Sequence, residues 1–146
     1  MGNSVYSVRY KMTSTDPLLN STLQRLRELR QTLLRLHKAL LDSERIEYEQ
    51  FHGRIKSNNE FFQLVIGDEW FSWLRPISQF IVQIDEFLAS KEPVTLNEAN
   101  QLLEQARVLI QPCSEGTMLE KQYFRAIQRD PNIALMSAEM TKMLAT

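Results

Sequence analysis

The sequence predicts an all-α protein: a four-helix bundle with a long first helix and a short extra helix at its C-terminal end. Three observations carry this. Apolar residues recur at 70, 73, 77, 80, 84 and 87, with a second file at 74, 81 and 88, which is the period of one broad helix face. Leu19, Leu26, Leu33 and Leu40 stand seven apart, and Leu29 and Leu36 follow two of them by three, the spacing of a heptad seam. Only four Gly and five Pro interrupt 146 residues, and no sustained period-two alternation marks a strand.

The elements follow in order. Residues 1–15 read as a loose N-terminal arm and 16–146 as a single helical domain. Gly2 invites a myristoylation reading, but Tyr6 stands where that pattern wants Ser or Thr. Met12 offers an alternative start. Asp16-Pro17 opens the first helix: Asp caps free amides and Pro pre-sets φ at the first helical position. That helix runs to about residue 51, where Gly53 can end it. After Leu41 its pattern turns to Asp42, Glu44, Arg45, Glu47 and Glu49, a charged stretch expected to face solvent.

Ser57 and Glu60 have capping-box spacing. Gly67-Asp68 interrupts the next helix, with Asp68 as a new cap, and Pro76 reads as a kink or as the first turn of a helix. Thr95/Glu98 and Thr117/Glu120 are two further boxes. Asp130-Pro131 repeats the opening signal of the first helix and starts the last one, which sets Ile133, Met136, Met140 and Met143 on one face beside Leu144.

Composition bounds the function. A net charge of −1 supplies no positive field to gather nucleic acid or an anionic membrane surface. The apolar runs fall far short of a membrane span. The lone Cys113 cannot form an internal disulfide, and a cytoplasmic setting is the expectation. The basic residues Arg25, Arg27, Arg30, Arg35 and Lys38 spread over most of the helix surface left free by the leucines, as a solvated polar face does.

Credible catalytic groups are few. Glu49 and His52 have the Glu-x-x-His spacing that puts two metal ligands on one helical turn, but a di-metal bundle needs two such pairs and the chain has one. The plainer reading is a helix end whose His helps satisfy terminal carbonyls. His37 lies one position past the seam and has no sequence-evident partner. Cys113 sits beside Glu115, which raises rather than lowers a thiol pKa. No Gly-rich phosphate loop, Ser elbow or Cys-x-x-Cys occurs. No cofactor is expected.

Seven of thirteen aromatic residues fall between Phe61 and Leu88. Trp70 and Trp73, three apart, share one side of a helix, and Trp is favoured both in cores and at interface centres. The expected contact surface is therefore Trp70, Trp73 and Arg75 together with Leu26 and Leu33 on the leucine seam. A homodimer pairing that seam would cover the excess apolar face. The methionines of the last helix suit either an adaptable surface or loose docking on the bundle.

The strings Tyr48-Glu49-x-x-His52-Gly53-x-Ile55, Glu60-Phe61-Phe62-Gln63-Leu64-Val65 and Trp70-Phe71-x-Trp73-Leu74-Arg75-Pro76-x-Ser78 resemble a family of small, uncharacterised bacterial helical proteins over residues 30–90. The resemblance implies a bacterial, cytoplasmic protein and transfers no activity. The expected function is a protein-interaction or regulatory module, binding a protein partner or itself, with no nucleic acid and no membrane. The competing expectation is an enzyme or a small-ligand or metal-binding bundle with its site near His37, Glu49 and His52.

Overall fold

The computed structural model describes residues 16–145, and the arm expected over 1–15 lies outside them. The fold is all-α. Six α-helices and one 3-10 helix follow one another, with no strand among the described residues: α1 Pro17–His52, α2 Asn58–Gly67, a 3-10 helix Glu69–Leu74, α3 Arg75–Leu88, α4 Leu96–Leu109, α5 Met118–Arg129 and α6 Pro131–Leu144. Among the described residues no helix is long and apolar enough to cross a membrane.

The 36-residue α1 is the spine, about 54 Å long at 1.5 Å per residue. Asp16 starts it by accepting from the Leu19 amide at 3.1 Å, and Gly53, at φ 85°, ends it. That φ lies in the left-handed region, which a residue without Cβ enters freely. Helices α3, α4 and α6 pack along α1, and α5 and the 3-10 helix close against its C-terminal half. Leu26, Leu29, Leu33, Leu36 and Leu40 are fully buried along this face. Burying each such side chain contributes about 1.5–3 kcal/mol.

This placement corrects one sequence expectation. Leu26 and Leu33 are enclosed by the chain's own helices and offer nothing to a partner. The heptad spacing is real, but its seam faces inward, because α3, α4 and α6 cover the stripe that a second copy was expected to cover.

The stripe from 70 to 87 crosses a change of helix type. Pro76 is the cause. It has no N–H to give the Ser72 carbonyl, which instead accepts from the Arg75 amide three residues on. Residues 69–74 thus wind as a 3-10 helix, and Pro76 sits in the first turn of α3. With three residues per turn, Phe71 and Leu74 stack on one side and Trp70 and Trp73 on the next. Phe71, Trp73 and Leu74 are buried.

The caps behave as local chemistry dictates. Thr95 and Thr117 form complete capping boxes with Glu98 and Glu120. Ser57 accepts from the Glu60 amide at 3.1 Å, but Glu60 returns to the Lys56 amide rather than to Ser57, so that box is displaced by one residue. The last helix belongs to the core: Ile133, Met140 and Leu144 are buried, and Met136 and Met143 pack partly against them.

Candidate functional site

A cleft of about 600 Å³ opens where α1, the 3-10 helix and α5 meet. Each wall is one helix face. α1 presents Glu44, Glu47 and Phe51 at spacings of three and four, and α5 presents Met118, Arg125 and Arg129 along one side. Between them the 3-10 helix sets Glu69, Trp70 and Trp73.

The floor is polar and closed on itself. Glu44 is only 5% exposed. Its Oε1 accepts from Trp73 Nε1 at 3.2 Å, and its Oε2 accepts from Arg129 Nη2 at 2.9 Å. Burial raises the Glu44 pKa; the Trp73 hydrogen bond and the Arg129 charge oppose that rise, and Glu47 adds to it. Arg129 also donates from Nε to Ser43 Oγ at 3.0 Å and lies 3.5 Å from Glu47 Oε1. One guanidinium thereby pairs with both the buried Glu44 and the half-buried Glu47, which leaves the trio one negative charge in excess when both carboxyls are ionised.

The sequence sets Glu44 on a stretch expected to face solvent. Glu44 is buried instead, and Ser43 with it, because Leu36, Leu40, Ser43 and Glu44 continue one helix face at steps of three and four. Their partner, Arg129, comes from the far end of the chain.

The mouth has the opposite character. Phe51 is 73% exposed and Met118 61% exposed, on opposing walls. Trp70 lies half-buried between them, its ring 5.8 Å from Phe51. Tyr48 and His52 stack at 4.3 Å, and Trp70 stands nearly perpendicular to both, at 5.7 and 5.4 Å. Trp70 Nε1 is buried without a hydrogen-bond partner.

The other expected site residues fall elsewhere. Arg75 donates from Nη2 to the Ile66 carbonyl at 2.5 Å, tying down the end of α2, and does not line the cleft. Glu49 accepts from the Ile55 amide at 2.8 Å and so shapes the turn after α1. His52 is exposed, with its ring on Tyr48. Among the described residues no group of three or more His, Cys, Asp or Glu side chains is placed to hold a metal ion. His37 is partly buried, which lowers its pKa, and about 18 Å of helix separates it from Glu49. These three residues do not converge. Of the basic residues on α1, Arg30 pairs with Asp85, Arg35 with Glu139 and Lys38 with Asp42.

The buried Glu44 carboxylate is committed to two donors, and the Ser72 hydroxyl donates to the Glu69 carbonyl at 2.7 Å. Comparison with protein-family models, curated proteins and solved structures found no match to this chain.

Proposed function

We propose that this chain is a non-enzymatic helical interaction module that docks a protein partner at the cleft between α1, the 3-10 helix and α5. The observation that supports it is the contrast between mouth and floor. Phe51, Trp70 and Met118 offer apolar surface at the opening, above a floor whose polar groups, Glu44, Glu47 and Arg129, are already paired with one another. Aromatic residues at the centre of a concave surface are the usual anchors of protein interfaces. The partner is another protein or a second copy of this chain. The lone cysteine and the resemblance over residues 30–90 favour a bacterial cytoplasm as the setting.

The test is affinity capture from extract of the cells that make the protein, using wild type beside Phe51→Ala. Phe51 is exposed, so the variant is expected to keep the helical circular-dichroism spectrum. A protein retained by wild type and lost by the variant supports the reading. Identical retention by both sinks it.

A further inference from the structure

The turn between α1 and α2 forms a second concave surface, of about 570 Å³, lined by Arg45, Arg54, Ile55, Lys56, Ser57 and Asn58. Three cations line it and no carboxylate does. The local sequence explains how they gather. Ile55 is only 3% exposed and anchors the turn, so its two neighbours, Arg54 and Lys56, are turned outwards together. Both side chains are exposed and free of ion pairs among the described residues, whereas Arg45 is held: its Cζ stands 4.7 Å over the Phe61 ring and its Nη2 donates to the Ile55 carbonyl at 3.5 Å. Glu49 Oε2 lies 3.9 Å from Arg45 Nε and already accepts the Ile55 amide at 2.8 Å. Glu60 accepts the Lys56 amide at 3.0 Å. Three cations against these two carboxylates leave one positive charge in excess at this corner.

We propose that this pocket binds the phosphate group of a small molecule. A guanidinium presents parallel N–H donors to two oxygens of one phosphate, and an ammonium adds a point charge, so two arginines and a lysine around one hollow suit a tetrahedral dianion. Ser57 Oγ accepts from the Glu60 amide at 3.1 Å and keeps its own proton to donate. The start of α2 adds the positive end of a helix dipole to what the cations supply. The cationic lining is short. Phe51, Glu60 and Phe62 are the exposed residues that flank it along the chain, so a nucleic-acid strand leaving the pocket would meet apolar or acidic surface. The pocket shares no lining residue with the cleft, and its occupancy does not depend on docking there.

The probes are glycerol 3-phosphate, inorganic phosphate and a short oligouridylate, titrated at constant ionic strength while backbone amide NMR resonances are followed. Glycerol 3-phosphate is expected to shift the amides of residues 54–58 saturably and to leave those of α5 in place. Glycerol without the phosphate is expected to shift neither. Inorganic phosphate separates the sources: binding as tight as the ester's assigns the pocket to the free ion, weaker binding assigns it to an esterified phosphate, and either supports the site. The double variant Arg54→Gln/Lys56→Gln is expected to weaken binding about tenfold, the scale of two exposed ion pairs. Its helical spectrum is expected to be unchanged, since neither side chain has an internal ion pair to lose. Lys121→Gln/Arg125→Gln removes the same charge from α5 and is expected to bind as wild type does. Three results would overturn the proposal: no saturable shift at residues 54–58, equal weakening in the two double variants, or tighter binding of the oligouridylate with shifts spread over other cations.

Discussion

Trp73 and Glu44 are twenty-nine residues apart and joined by one hydrogen bond, indole Nε1 to carboxylate Oε1 at 3.2 Å. The bond ties the 3-10 helix to α1 and supplies a buried acid with one of its two donors. Trp70, three residues earlier, has no such partner for its Nε1. The two tryptophans therefore differ in what their N–H groups contribute.

Phenylalanine substitution separates them. Trp73→Phe leaves a buried carboxylate short of a donor, and we expect a loss of about 1–3 kcal/mol in denaturant unfolding. Trp70→Phe removes an N–H that satisfies nothing, and is expected to be neutral within about 0.5 kcal/mol or slightly stabilising. Equal losses would contradict the assignment.

Acidity acts through two groups with opposite signs. The raised pKa of Glu44 means the folded chain holds that proton more tightly than the unfolded one. Its contribution to stability is greatest below the ordinary carboxylate value and fades as pH climbs through the raised one. His37 is displaced the other way: the folded chain disfavours its charged form, so stability is lost as pH falls below its ordinary value. Thermal melts between pH 4 and 8 are expected to change slope in Glu44→Gln and in His37→Gln, in opposite directions. Parallel curves for wild type and both variants would refute this.

Gly116 is required by its neighbour. A Cβ there would run into the Glu120 carboxylate, which closes the Thr117 box by accepting the Thr117 amide at 2.8 Å. Gly116→Ala is expected to cost about 1 kcal/mol by disturbing that cap. Adding Thr117→Ala should then cost less than it does alone, because both changes damage one motif. Additive losses in a double-mutant cycle would speak against the contact.

Removing residues 131–146 strips Ile133, Met140 and Leu144 from the core and bares a strip of α1. We expect loss of the cooperative melting transition rather than a small shift. A truncated chain that melts sharply near the wild-type temperature would show the last helix to be dispensable.

What the sequence disclosed was local. The caps at Asp16, Thr95, Thr117 and Asp130 are short-range hydrogen bonds written in adjacent letters, and the leucine spacing reveals a buried face whatever covers it. The identity of the cover is not local, which is why Leu26 and Leu33 read as a surface for a second copy. The cleft was hidden for the same reason. Glu44 looks solvated among acidic neighbours until Arg129, eighty-five residues away, is seen beside it. Phe51 and Met118 carry no sequence mark of exposure. The phase from Leu36 through Leu40 to Ser43 and Glu44 was the one available clue to the buried carboxylate.

The order of the helices has a consequence during synthesis. The rod that carries ten of the twenty leucines leaves the ribosome ahead of α3, α4 and α6, the helices that cover it. At roughly 5–20 residues per second, several seconds pass with a long greasy strip unsheltered. Nascent chains and premature stop products of this protein are therefore natural clients for chaperones and proteases until the final turn has emerged.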